Sequence, residues 1–350
     1  MTTQSSSTTP ATDVSRVTGA GRGGVPGWLV ALLAFATGAT VANLYYAQPL
    51  LSTLAGAFHV GTATAGAIVT VTQIGYVIGM LFLVPLGDRF EKRGLVTLLL
   101  AVTSAVLAAA GAATGFPMLL LASLVSGATS VVAQILVPFA ASMAPDHARG
   151  RVVGRVMAGL LTGILLSRTI SALVADAAGW RAVYAGSAVL TALLAVALRL
   201  TLPAHAPTTS LPYHHVLRST VRLVRTHPAI LRRGLYQAAM FGAFSAFWTT
   251  VSFLLTGPHF HYGSTGVGLF ALVGAAGAAV APLAGHWADR GLGRRMTGAA
   301  LAAGALAALL AGIGAHDIVL LALAAVLPLL ALLYWTTELR AARTASGEVA

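Results

Sequence analysis

The distribution of charge constrains this chain most. Stretches without a single Asp, Glu, Lys or Arg cover residues 23–87, 94–145, 182–198, 234–288, 296–316 and 318–337, the longest of them 65 residues. A helix that crosses the hydrocarbon of a bilayer needs about 20 apolar residues, so each of the three longest blocks holds two spans and an uncharged turn. Turn residues mark the breaks at Gln48-Pro49 through Gly61, at 114–117 and at 256–263. A further stretch, 153–174, is apolar apart from Arg155 near its start and Arg168 inside it. Ten spans are therefore predicted, near 28–48, 62–86, 94–113, 117–139, 153–174, 182–201, 234–256, 264–287, 296–314 and 318–335. Only 9% of the residues are charged, against about 25% in a soluble domain. The chain reads as an all-α polytopic membrane protein.

The 21 basic residues test this span count through the positive-inside rule. With both termini in the cytoplasm, 19 of the 21 fall in cytoplasmic segments; Arg181 lies outside and Arg168 within a span. A net charge of +12 is thus explained by topology, and no nucleic-acid partner is expected. Residues 1–27 read as a disordered cytoplasmic tail, 28–201 as a six-helix bundle, 202–233 as a cytoplasmic linker, 234–335 as an incomplete bundle of four helices and 336–350 as a second tail. No cleavable signal peptide is expected, because the first apolar run is too long and has no small-residue cleavage site before the next span. In the linker, Leu217, Val221 and Val224 alternate with Arg218, Arg222 and Arg225 at helical spacing, which predicts a basic amphipathic helix at the inner membrane surface. Cysteine is absent, so disulfides and thiolate chemistry are excluded. His214-His215 and the His259/His261 pair have no third ligand close in sequence, and no metal or other cofactor is expected.

An Asp-Arg pair followed by two basic residues occurs after the second predicted span, as Asp88, Arg89, Lys92 and Arg93, and again 201 residues later as Asp289, Arg290, Arg294 and Arg295. Duplication of a helical unit is the sequence mark of secondary transporters whose halves rock about a central site. A carboxylate at a helix end can bind a helix N-terminus or a neighbouring Arg in one conformation and release it in another, so these loops are candidate gates. The motif resembles the loop signature of the major facilitator superfamily, Gly-x-x-x-Asp-Arg-x-Gly-Arg-Arg or Lys. Val84 and Glu91 replace its glycines in the first copy, and Gly285 and Gly293 supply them in the second, with one residue inserted. The segment from Asn43 to Leu51, the run Ala144-Pro145 through Arg149, Arg151 and Gly154, and Gly163 to Arg168 followed by Gly179-Trp180-Arg181 are similar to the bacterial drug and sugar efflux branch. The resemblance covers residues from about 28 to 327. It implies a secondary transporter of a bacterial inner membrane, and adds Arg149 and Arg151 to the gating set. That family has twelve spans, six plus six, against six plus four here.

Polar residues inside spans are costly and therefore mark candidate pathways. Those singled out are Asn43, Tyr46 and Gln48 in span one, Gln73 and Tyr76 in span two, Gln134 in span four, Arg168 in span five, and Tyr236, Gln237, Trp248 and Thr249 in span seven. For Arg168, a role in the pathway and bracing against a neighbouring helix stay open. Gly75/Gly79, Gly159/Gly163 and Gly274/Gly277 suit close helix packing. The expected partners are the bilayer and a small organic molecule, drug-like or sugar-like, exported by alternating access. No span carries a mid-membrane carboxylate, so coupling stays open between protons acting through Asp88 and facilitation. With no nucleophile, base and oxyanion set, an enzyme is not expected, and without rings of like charge neither is a channel. The opposing reading is a truncated, non-transporting membrane protein or a ligand sensor.

Overall fold

The computed structural model describes residues 25–145, 147–203, 213–258, 261–270 and 302. The tails, the eighth span beyond Phe270, the ninth and tenth spans apart from Ala302, His259 and the Gly274/Gly277 pair lie outside the described residues. No strand occurs among the described residues. The helices are α1 (Gly27–Ala42), α2 (Leu51–Ala57), α3 (Thr62–Phe82), α4 (Leu86–Arg89), α5 (Lys92–Gly111), α6 (Phe116–Thr129), α7 (Val132–Met143), α8 (Arg149–Ala178), α9 (Trp180–Thr201), α10 (Tyr213–Thr226) and α11 (Pro228–Thr256), with α12 over 264–270.

Five described stretches are long and apolar enough to cross a membrane: Thr62–Arg89, Lys92–Gly111, Phe116–Met143, Arg149–Ala178 and Trp180–Thr201. Large apolar side chains such as Leu98, Leu121, Val189, Leu193 and Val196 stand exposed on their outer faces. In water such a surface would drive aggregation; in hydrocarbon it has the polarity of its solvent. Because lipid gives apolar side chains no reason to turn inward, close packing holds the bundle instead. Gly75 and Gly79 of α3 lie so near the carbonyls of Leu124 and Ala128 on α6 that a Cβ at either would collide with backbone, and Gly127 meets Thr72 in the same way. Gly38 of α1 is pressed equally against Gly159 and Gly163 of α8. The expected packing role of the Gly75/Gly79 and Gly159/Gly163 pairs is therefore what these residues do. Hydroxyls add joints between helices, Thr103 donating to Thr129 at 2.7 Å and Ser104 to the Ala188 carbonyl at 2.8 Å.

The first span departs from the uniform helix predicted over 28–48. Helix α1 stops at Ala42, and the amides of Leu44, Tyr45, Gln48 and Leu50 donate three residues back, to Val41, Ala42, Tyr45 and Ala47, at 3.0–3.2 Å. Pro49 has no N–H to continue an α-helical ladder, and the chain passes through a 3₁₀ turn, Gln48–Leu50, into α2. Span four is likewise divided, α6 ending at Thr129 and α7 starting at Val132, with Pro138 unable to donate to the carbonyl of Gln134. Gly179, at φ +82°, lets α8 end and α9 begin within one residue. Beside it, Trp180 is buried, and the Arg181 guanidinium donates to the Ala113 carbonyl beyond the end of α5 at 3.1 Å. Gly179-Trp180-Arg181 thus builds a tight hairpin.

The linker holds the expected basic helix as α10, with Arg218, Arg222, Arg225, Leu223 and Val224 all exposed. Its Tyr213 hydroxyl donates to the Phe82 carbonyl at the end of α3, 2.6 Å away. Pro228, suited to the first turn of a helix, starts α11 inside the range 202–233.

Candidate functional site

The unwound stretch after α1, the middle of α8 and the middle of α11 meet around Arg168. Its residue position places it about 28 Å along α8 from Arg149 and about 15 Å from Ala178, so it lies deep in the span. The side chain is 2% exposed. Its Nε donates to Gln48 Oε1 at 2.8 Å and its Nη1 to the Ile164 carbonyl at 2.9 Å. Three rings cover the guanidinium, with Cζ at 4.6 Å from the Tyr45 centroid, 4.5 Å from Trp248 and 5.3 Å from Phe244. Nη2 and the Gln48 amide nitrogen are buried without hydrogen-bond partners among the described residues.

A buried cation with no counter-ion is expensive, and two neutral acceptors with three π faces offset only part of that cost. The local fold explains how the pieces arrive. The unwound stretch after Ala42 carries Tyr45 and Gln48 to Arg168 of α8. On α11, Phe244 and Trp248 are four residues apart, stack edge to face at 6.3 Å, and share one face. Tyr45 meets Phe244 edge-on at 6.4 Å.

Sequence reading found Gln48, Arg168 and Trp248 but missed Tyr45 and Phe244. Tyr45 stands between two selected residues, and the Phe241, Phe244 and Trp248 spacing was the available signal for an aromatic face. The other selected residues are dispersed. Asn43 accepts from the Ser187 hydroxyl at 2.7 Å and lines a cavity of about 10 Å³ inside the first bundle, room for one water at most. Tyr46 packs in the same bundle with Leu50, Trp180 and Tyr184. Gln134 donates to the Tyr76 hydroxyl at 2.9 Å, joining α7 to α3. Gln73 and Thr249 line a mostly apolar groove of about 640 Å³ between α3 and α11, with Phe241 and Ser245. Tyr236 is buried twelve residues before Trp248, about 18 Å along α11, and does not join the Arg168 cluster. The side chain of Gln237 lies outside the described residues.

Asp88 stands exposed in α4, and Arg89 ends that helix. In the first turn of α5, Arg93 pairs with Glu91, the residue before the helix, at 3.1 Å. Lys92 lies 5.7 Å from the Phe139 ring, and Arg149 Nε donates to the Ala141 carbonyl at 3.2 Å, so both cations converge on the last turns of α7. Cations there suit the negative end of a helix dipole. Arg151 is exposed. The second copy of the motif, Asp289, Arg290, Arg294 and Arg295, lies outside the described residues.

A carboxylate bound to a helix N-terminus does occur, at a residue sequence reading did not select. Asp176, near the end of α8, accepts from the backbone N–H of Thr265 at 2.8 Å and from its hydroxyl, at the start of α12. Two turns away, Thr169 donates to the Gly268 carbonyl at 2.7 Å. Ser264-Thr265 directly after Gly263 is a helix-start signal; that its capping acid would come from position 176 is a long-range fact no local pattern carries.

The Major Facilitator Superfamily family model matches residues 30–345. An uncharacterized transporter of Escherichia coli O157:H7, YgaY, is 42% identical over 269 residues, covering 77% of this chain and 68% of that protein. A transporter-named relative of Streptomyces coelicolor, SCO4007, is 39% identical over 334 residues, covering 93% of this chain and 78% of the relative. Among solved structures, a bacterial homolog to the human lysosomal transporter Spinster, in an inward-facing and unoccupied conformation, shares the fold at a TM-score of 0.65 and 15% identity, over 88% of this chain and 73% of that one. The xylose transporter XylE of Escherichia coli shares it at 0.57 and 16% identity, over 87% and 81%. The chain is a multi-pass membrane protein and belongs to the major facilitator superfamily of secondary transporters.

Proposed function

We propose that the chain exports a small organic molecule by rocking a first bundle, α1–α9, against a second that begins with α11, with α10 lying in the linker at the inner membrane surface. The observation that carries this reading is the Arg168 cluster, in which a buried cation of α8 is held by Gln48 on one side and by Phe244 and Trp248 of the opposing half on the other. Separating the halves takes two rings off the guanidinium and exposes it to the pathway. The Asp176–Thr265 and Thr169–Gly268 bonds are the joints that such a motion breaks. They lie on the half of α8 assigned to the outer side, Asp176 near its end, which supports an outward gate that is closed in this conformation. Inner gating falls to Asp88, Arg89, Lys92, Arg93, Arg149 and Arg151, with Asp289, Arg290, Arg294 and Arg295 as their second-half counterparts. Gln73 and Thr249 contribute groove polarity.

The test is accumulation of a panel of fluorescent compounds in efflux-deficient cells expressing the chain, beside Asp88→Asn and Arg168→Ala variants present at equal membrane levels. Export predicts lower accumulation that the variants lose. Unchanged accumulation across a broad panel would favour a ligand sensor. Proton coupling is read in the same cells, because export that persists when the pH gradient is collapsed is facilitation.

A further inference from the structure

Resting on that reading of a pathway between the halves, we infer that the transported molecule is an organic anion, a carboxylate carried on a small apolar or aromatic body, and that Arg168 and Gln48 recognise it.

The fixed charge of the pathway is positive. Within the charge-free blocks and the span that contains α8, Arg168 is the one charged residue far from a helix end; Arg155 stands near the start of α8 and Arg199 near the end of α9. Asp176 is eight residues further along α8, about 12 Å away, and is engaged with Thr265. Among the described residues, no carboxylate pairs with Arg168. A buried cation that no carboxylate pairs with among the described residues repels cationic substrates and draws anions. A neutral sugar would be served by neutral polar groups, and nothing in its recognition would require the expense of a buried guanidinium.

The hydrogen-bonding geometry narrows the ligand further. Guanidinium donors point outward in the plane of the group, whereas aromatic rings cover its faces. Tyr45, Trp248 and Phe244 lie over the group, and Nε and Nη1 are engaged along its edge. Nη2 has no partner among the described residues. Gln48, through its oxygen, accepts from Nε, and its amide nitrogen is also without a partner there. Two buried, unengaged donors on one hydrogen-bonded pair match the two oxygens of a carboxylate. Room for the body of the ligand lies on the neighbouring face of α11. Phe244 and Trp248 face Arg168, and their immediate successors Ser245 and Thr249 line the apolar groove of about 640 Å³ against α3, which joins the site once the halves part. Apolar walls with few polar groups suit a small aromatic or aliphatic acid.

The test is equilibrium binding to the purified full-length chain in detergent, read as the ligand-dependent shift of thermal unfolding. The probes are benzoate and indole-3-acetate against benzamide, indole-3-acetamide and benzylamine. The amides match the acids in shape and lack only the charge. The inference expects each acid that binds to do so about tenfold or more tighter than its amide, benzylamine not to bind, Arg168→Gln to erase the difference, and Arg168→Lys to keep part of it. Equal affinity for acid and amide, preference for the amine, a preference that survives Arg168→Gln, or no shift with either acid would overturn it. The comparison of acid with amide on the unmodified chain needs no variant to fold. Because binding is measured without a membrane, Arg168-dependent capture of acids by a chain that exports nothing from cells would sink the transport reading alone. Export of neutral compounds without any preference for acids would sink this inference alone.

Discussion

Replacing Asp176 by alanine removes a joint between α8 and α12 and leaves every buried contact in place. The carboxylate takes two hydrogen bonds from Thr265, one from its backbone N–H at 2.8 Å and one from its hydroxyl. A hydrogen bond to a charged group contributes about 1.5–3 kcal/mol when sheltered, and the loss of a helix cap costs about 1 kcal/mol. Asp176 is exposed, so solvent replaces much of what is lost and the net effect falls to about 1–2 kcal/mol. Since both bonds exist only while the two elements touch, the whole effect goes into the equilibrium between closed and open outer ends, a shift of about 5- to 30-fold. The chain has no cysteine, so a single reporter thiol can be placed without background. Thr169→Cys is suited to this because Thr169 is buried where α8 meets Gly268 of α12. A membrane-impermeant maleimide applied to intact cells should label this thiol 5- to 30-fold faster when Asp176→Ala is added, within the range set by those energies. Asp176→Asn, which keeps an acceptor and loses the charge, should fall between. Labelling that stays unchanged, or slows, would refute the assignment of this pair as an outer gate.

Gly163→Val and Gly79→Val each place a side chain against backbone of the facing helix, Gly38 and Ala128 respectively, so both should lower the yield of folded protein, with a cost above the 1–3 kcal/mol typical of overpacking; retained yield in size-exclusion chromatography would contradict the packing role. Gln48→Leu removes the acceptor of Arg168 Nε and should lower thermal stability by about 1–3 kcal/mol, whereas Thr249→Ala, on the groove wall, should lower it by less than about 0.5 kcal/mol; equal effects on unfolding would dissociate Gln48 from Arg168. A fluorophore on Ser219→Cys in α10 should be quenched by nitroxide-labelled lipid headgroups in anionic liposomes, and reversal of Arg222 and Arg225 to Glu should weaken that quenching, each charge being worth about 1 kcal/mol at the membrane surface.

The described helices were legible because lipid imposes one rule, that each span satisfy its own backbone, and uncharged length is then enough to find them. What charge counting cannot register is a span that stops being a regular helix. Pro49 marks the place in the first span, yet the α-helical hydrogen bonding ends earlier, at Ala42. Asn43 and Tyr46, chosen for polarity, turn into the first bundle, while Tyr45, passed over, reaches Arg168.

The proposed gate shows a different limit. For a carboxylate that holds a helix N-terminus, local repetition points to Asp88, the residue with a recognisable motif around it. The described structure makes that contact through Asp176 and Thr265, 89 residues apart and without any shared motif. Repeated motifs report what two halves have in common; a joint between the halves is by construction made of residues they do not share. The same logic applies to Arg168, which has meaning only when α8, the unwound stretch after α1 and α11 are brought together. Its partners are two neutral acceptors and three rings, none of which a search for complementary charge would return. A lone cation in an apolar span is therefore best read by asking which charge is missing, and the two unengaged donors beside it turn that question toward the molecule the chain carries.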